Sequence, residues 1–401
     1  MAKRSTRSSR LQSVDLDLHP NEASDLLPLE SKRILKEQGW DRAFWSVLDE
    51  GPVEDSIAVI GHRVGAEHDE DSWETARPRF RVSKRERGKT EDAEACARHD
   101  GWIYVVGSHY GAKSGPLETK RAFLARFREE DIESPLGEAR PAMEVAMNRF
   151  RLHRAVNDSL AAFGPPLLGP GPGVRESFIT AARKGAGKRT ADRLLGSDAP
   201  INIEGAAFDD AGTLLLGLRY PVTADGHPIV AEASGIERLF ESRRAAPVVR
   251  RLWVLKNVGT KRRPLGIRAV HRSGSDLHVI AGSLDAQDKG STLLEDHPEG
   301  GKASCAHYRA RLPESRDGGP VEAELVHRFN LPNVEGLSPG PGGQFYYVTD
   351  EDDRVHMRLI AHGRGGSGDA KKRGAGRRRS GSSSGQSSSR KPSRARDRRS
   401  A

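Results

Sequence analysis

NIEGAAFDDAGTLLLGLRYP, from Asn202 to Pro221, is the stretch that decides how this chain is read. A carboxylate, Glu204, stands beside Gly205 at its start. A short apolar run follows, then the turn Asp209-Asp210-Ala211-Gly212. A second run, Leu214-Leu215-Leu216, ends at Arg219 and Pro221. Two apolar runs about a Gly-bearing turn predict a β-hairpin. One hairpin leaves two open edges and buries little, so it needs companions.

The companions follow the same plan. DAEACARHDGWIYVVGSHYG surrounds Glu94 and NVEGLSPGPGGQFYYVTDED surrounds Glu335, while the looser GIRAVHRSGSDLHVIAGSLD carries Arg268 where the others carry Glu. Fifteen residues on from these charged starts lie His109, Arg219, Ser283 and Asp350. Arg268 follows Glu204 by 64 residues and Glu335 follows Arg268 by 67. Glu204 follows Glu94 by 110, and the excess is a Pro/Gly-rich, helix-like insertion over 156–200. Repeated short strands with turns predict an all-β, propeller-like architecture, with units longer than the usual period of about 40–50 residues per blade. Ile34 to Gly51 reads as a degenerate first copy, its apolar run Phe44 to Leu48 ending in Asp49-Glu50. Five units are recognisable, and six blades are allowed if one copy has diverged.

The elements NIEGAAF…LLLGLRYPV, WIYVVGSH, LGIRAV…VIAGSLD and NVEGLS…YYVTDED together resemble the bacterial DUF3616 family, a domain of unknown function, from about Leu11 to His362. The resemblance implies a β-propeller-like domain and no established reaction. Ala95 departs from it where a Gly follows the acid in the other acidic copies, and so does Tyr220 before Pro221.

Charge is divided unevenly along the chain. The net +9 is a tail of +11 from Gly363 to Ala401 and a start of +4 from Met1 to Arg10, set against a body of −6. Residues 1–13 and 363–401 are therefore expected to be disordered basic ends about a folded domain over 14–362. A mildly acidic body is not built to track phosphates, so nucleic-acid contact is expected only as weak, non-specific attraction through the tail. Cys96 and Cys305 are the only cysteines, which gives no disulfide framework. The basic start has no apolar core of a secretory signal, and no run of about 18 apolar residues spans a membrane. A soluble, cytoplasmic protein is the expectation.

Hairpin geometry locates the chemistry. A charged residue that starts one strand and a partner that ends the next lie at the same end of the hairpin, opposite the Gly turn. Radial packing gathers those ends near a central channel. Glu94, Glu204, Arg268 and Glu335 are expected there, with Ser108, His109, Arg219, Asp285 and Asp350 from the returning ends. A polar constellation at a concave place is where a ligand is sought first. In one reading Glu94, Glu204, Glu335 and Asp350 ligate Ca²⁺ or Mg²⁺. His109 and Glu204 then catalyse a metal-assisted hydrolysis of phosphate or other esters, and Arg219 and Arg268 hold the anion. In another, Arg219 and Arg268 pair with the carboxylates and hold the blades in register, and the face binds a small anion, another small ligand or a protein partner without catalysis, as a ligand site or an interaction scaffold. In the plainest, each Glu accepts backbone N–H bonds from the next blade and serves only the fold.

Overall fold

The computed structural model describes residues 12–361, apart from 19–22, 112–116, 149, 186–190, 243, 286–289, 302, 315–316 and 352–353. Of the basic ends expected at 1–13 and 363–401, all but Gln12 and Ser13 lie outside the described residues, and those two belong to a strand instead of a disordered end.

Strand β1 (Gln12–Leu16) comes first. Blade I holds β2 (Ser24–Pro28), α1 (Lys32–Gln38), β3 (Trp40–Val47), β4 (Ile57–Arg63) and β5 (Trp73–Ala76). Blade II holds β6 (Ala93–His99), β7 (Trp102–Gly107), β8 (Phe123–Arg128) and β9 (Glu144–Met147). The insertion follows as α2 (Arg151–Phe163) and α3 (Pro172–Gly185). Blade III holds β10 (Asn202–Phe208), β11 (Leu214–Tyr220), β12 (Ile229–Ser234), α4 (Arg238–Glu241) and β13 (Val248–Lys256). Blade IV holds β14 (Gly266–Ser273), β15 (Asp276–Gly282), α5 (Thr292–Asp296), β16 (Ala306–Arg311) and β17 (Gly319–Arg328). Blade V holds β18 (Val334–Pro339), β19 (Gln344–Glu351) and β20 (Arg354–Ala361), and β1 completes it by pairing antiparallel with β20.

The inner strands β2, β6, β10, β14 and β18 pack in that order, and β18 returns to β2. That ring makes five blades and leaves no place for a sixth. The circle is closed by sequence ends, because a strand near the N-terminus is the outer edge of the last blade. The outermost strands of blades III and IV also pair in parallel, Trp253 opposite Gly319, which joins the two blades into one eight-stranded sheet.

Apolar runs without alternation make sense in this arrangement, because each middle strand is covered on both faces. In β11, Leu214, Leu216 and Leu218 pack toward blade II with Tyr104 and Leu124, while Leu215 packs toward blade IV with Trp253 and Ile267. In β3, Trp45 joins Phe127 of blade II, and Phe44 joins Tyr346 of blade V. Val348 and Tyr347 of β19 likewise face blades I and IV. The core is thus a set of blade-to-blade seams.

Two local readings change. Blade I begins at Ser24, ten residues before the copy expected at Ile34. Its hairpin turn is replaced by α1, which Ser31 caps by accepting from the Ile34 N–H (3.3 Å) and Gly39 ends at φ 69°. After β9 ends at Met147 the chain turns into α2 at Arg151, five residues before the expected start of the insertion.

Candidate functional site

In all five inner strands the ladder skips at a charged residue. Opposite β7, Ala93 pairs with Gly107 and Ala95 with Val106, so Glu94 has no partner in the ladder. Glu204, Arg268 and Glu335 are passed over in the same way, between Ile203 and Gly205, Ile267 and Ala269, and Val334 and Gly336. In β2 the irregularity runs from Ser24 to Leu27 and holds Asp25, at φ 64°. A bulge bends the strand and re-aims its side chain, and here it recurs at one end of every inner strand. Asp25 is the fifth member of the ring. The α1 insert breaks the fifteen-residue spacing that found the other four, and only the short motif Ser24-Asp25-Leu26 marks it.

The same bulges explain Glu-Gly. A Cβ on Gly336 stands 2.6 Å from the Asp25 carbonyl carbon, and one on Gly205 stands 2.6 Å from Cγ2 of Val270 and 2.9 Å from its backbone N. Inner strands of neighbouring blades approach too closely there for a side chain. Tyr220 has a local reason of its own: its hydroxyl donates to the Leu168 carbonyl of the insertion (2.7 Å).

One half of the ring is ion-paired. Arg219 donates to Glu204 through Nη1 and to the Ser283 carbonyl through Nε (3.0 Å), which ties blade III to blade IV. Arg268 donates through Nε to Glu335 Oε2 (2.8 Å) and through Nη2 to Oε1, which ties blade IV to blade V. Its Nε also lies 3.9 Å from Glu204, and Asn202 donates to the same carboxylate (3.0 Å). All of these charged groups are buried. Burial alone lowers an arginine pKa, but the Glu335 and Glu204 charges outweigh it and raise that of Arg268.

In the other half only Asp92 is ion-paired among the described residues. Asp25 accepts from the N–H groups of Leu26 (2.8 Å) and Cys96 (2.9 Å), the second across the seam to blade II. Burial still pushes its pKa up to about 7. Asp92, at φ 68°, accepts from Ser108 Oγ and pairs with Arg121 (3.0 Å). Burial raises its pKa to about 6 against the pull of Arg121. Glu94 makes no hydrogen bond or ion pair among the described residues and keeps part of its surface accessible. Burial, then the charges of Glu204, Asp92 and Asp49, hold its carboxyl well above the usual range, against the pull of Arg219. Arg219 in turn leaves Nη2 buried without an acceptor.

The other expected residues are held by partners of their own. His109 is fully buried at φ 61°, with Nδ1 donating to the Gly107 carbonyl (2.7 Å) and Nε2 accepting from Asn148 Nδ2 (2.6 Å). Burial lowers its pKa to about 4, so the ring is a neutral brace inside blade II and not an acid/base at the channel. Ser108 remains beside Asp92, and its carbonyl accepts from the Ile203 N–H (2.8 Å). Asp285 accepts from Ser291 Oγ ahead of α5. Asp350 is the penultimate residue of β19, its N–H donating to Asn333 O (3.1 Å). The expected metal set, Glu94, Glu204, Glu335 and Asp350, is not assembled: among the described residues no three His, Cys, Asp or Glu side chains come together to hold an ion. The arginines supply the reason, because they occupy the oxygens of Glu204 and Glu335 that a cation needs.

The fold and the bulged ring define a five-bladed β-propeller with a charged inner end. Residues 189–291, which span blade III and the first hairpin of blade IV, match the family model DUF3616, described as a protein of unknown function. No curated protein matches the chain. Among solved structures it is similar to MPT-4, a mannose phosphorylase from Leishmania mexicana in complex with phosphate ion, at 11% identity and TM-score 0.40, covering 88% of this chain and 89% of that one. An exo-1,5-alpha-L-arabinanase from a bovine ruminal metagenomic library gives 13% identity and TM-score 0.39, covering 89% and 96%. The WD40 propeller domain of Doa1 gives 8% identity and TM-score 0.34, covering 89% and 98%. No helix among the described residues is long and apolar enough to cross a membrane.

Proposed function

We propose that the inner ring binds a small, uncharged, hydroxyl-bearing ligand between Glu94 and Arg219. One observation carries this reading: a carboxyl and a guanidinium N–H, within each other's field, both lack a protein partner. A buried donor without an acceptor costs about 1–3 kcal/mol, which a ligand can return. An anion would meet Asp49, Asp92, Glu94 and Glu204. A cation would face the Arg219 donor. A hydroxyl accepts from Nη2 and donates to the carboxyl, so it satisfies both.

The test is thermal unfolding of the full chain with a panel of polyols and monosaccharides, beside Ca²⁺, Mg²⁺ and phosphate. A ligand at a hundredfold excess over its dissociation constant adds about 2.7 kcal/mol of stability. The reading expects a hydroxylated compound to raise the midpoint and Glu94→Gln to remove the rise. A rise with a divalent ion alone, removed by Glu94→Gln, would overturn it in favour of a metal site.

Hydrolysis is the second reading. It loses His109 as its acid/base, but burial and the neighbouring carboxylates push the Glu94 pKa up, the direction a general acid needs. Turnover of an ester or glycoside panel that stops in Glu94→Gln would establish it. Two free thiols, Cys96 and Cys305, accord with a cytoplasmic location. An interaction scaffold has no specific observation in its favour.

A further inference from the structure

A second polar concavity lies away from the ring, where the insertion meets the outer part of blade III. It is a cleft of about 380 Å³ between one face of α2, the turn at Asp192-Arg193, and the segment leading into β13. Arg151, Arg154, Arg193 and Arg244 line it, against Asp158 and Asp192. Arg151, Arg154 and Asp158 stand at helical spacings of three and four, so they share one face.

The aspartates do not neutralise the cleft. Asp158 is taken by Arg154 Nε (2.8 Å), and Asp198 takes both bonds of Arg154 Nη1 (2.8 and 2.9 Å). Arg154 is thereby fixed in place. Asp192 is largely exposed and lies 3.8 Å from Arg193, a weak pair. Arg151 reaches across to the Ala245 carbonyl (2.9 Å), which sets the width of the cleft. Arg244 makes no side-chain hydrogen bond or ion pair among the described residues. Helix α2 adds to the positive field. Its N-cap position is Phe150, which has no side chain to cap with, and its first turn holds two arginines and no acid. Positive residues oppose the helix dipole there, and an anion in the cleft reverses that cost.

We infer that this cleft is a binding site for a compact polyanion of the phosphate class, about the size of a pyrophosphate group. The volume lies in the range of small-molecule pockets, and planar guanidinium groups suit phosphate oxygens. The site belongs to the insertion, so the other four blades have no counterpart, and it is independent of the inner ring.

Isothermal titration of the full chain with pyrophosphate, at physiological salt, tests it. The basic tail also attracts anions, so the comparison is between variants of the same chain. The inference expects saturable one-to-one binding that Arg193→Gln with Arg244→Gln weakens by about tenfold or more, the loss of one charge-assisted bond or more. Arg193→Gln alone is measured beside it, so that the answer survives should the double variant melt early. Binding that neither variant changes, or no saturable binding in the parent chain, overturns the inference.

Discussion

The inner ring holds two regions that meet the same demand in opposite ways. Each of the five blades brings one charged residue to the centre on a β-bulge. Across blades III, IV and V those residues form a chain, Arg219–Glu204–Arg268–Glu335, in which the carboxylates are paired with arginines. Across blades I and II, Asp92 pairs with Arg121, Asp25 and Glu94 have no ion pair among the described residues, and all three carry raised pKa values instead. The same backbone device therefore serves two ends. The paired half fastens blades, and the unpaired half holds carboxyls whose pKa values are raised. Buried charges without partners usually persist for a use other than stability.

Breaking the paired half has the largest expected effect. Arg268→Met strands Glu335 and weakens the support of Glu204, and should cost about 3–5 kcal/mol in urea unfolding. Adding Glu335→Leu should restore most of the loss, because an apolar pair replaces an ion pair. A double variant as unstable as the single one would mean that packing, and not charge, fastens that seam.

Next is the close approach of inner strands. Gly336→Ala drives a Cβ against the Asp25 backbone and should cost about 1–3 kcal/mol. The midpoint of chemical denaturation reads it directly.

The unpaired half should show itself in pH dependence. The Asp25 carboxyl titrates at about 7 in the folded protein, against 3.8 for the same group free in water. Below about pH 4 both the folded and the unfolded chain hold the proton. Between about 4 and 7 the unfolded chain has released it and the folded one has not, so stability falls as pH rises. Asp92 and Glu94 act in the same direction. His109 acts oppositely: the unfolded chain binds its proton below 6.5 while the folded ring titrates at about 4, so stability rises with pH over that window. Asp25→Asn should remove about one proton from the falling limb, a slope change of roughly 1.4 kcal/mol per pH unit. An unchanged slope would show that Asp25 is not neutral in the fold.

How much of this is legible in the sequence follows the physics of each feature. The propeller can be read because a hairpin that cannot stand alone must recur, and the motif beginning at Glu204 recurs at Glu94, Arg268 and Glu335. Asp25 cannot be found by spacing, since α1 replaces its turn. The closing pairing of β1 with β20 joins residues more than 330 apart, and no local pattern in QSVDL announces it. His109 reads as functional because it sits among Gly and small polar residues. Its positive φ turns the ring inward onto Gly107 and Asn148, a backbone choice that residue type does not encode. The Glu204–Arg219 pair follows the fifteen-residue spacing within one hairpin, whereas the Arg268–Glu335 pair crosses blades, which no local spacing marks. Asp285 and Asp350 stand at the returning ends of their hairpins, where one accepts from Ser291 and the other anchors its backbone to Asn333.

The most direct test compares two glutamates at one repeat position. Thermal unfolding of Glu94→Gln and Glu204→Gln at pH 8, each against the parent chain, separates the halves of the ring. The account predicts that Glu94→Gln leaves the midpoint unchanged or raises it, since a buried like-charged carboxyl is removed. It predicts that Glu204→Gln lowers the midpoint, since Arg219 and Arg268 lose their shared partner. An equal fall in both variants would contradict the division and return Glu94 to the framework of the fold.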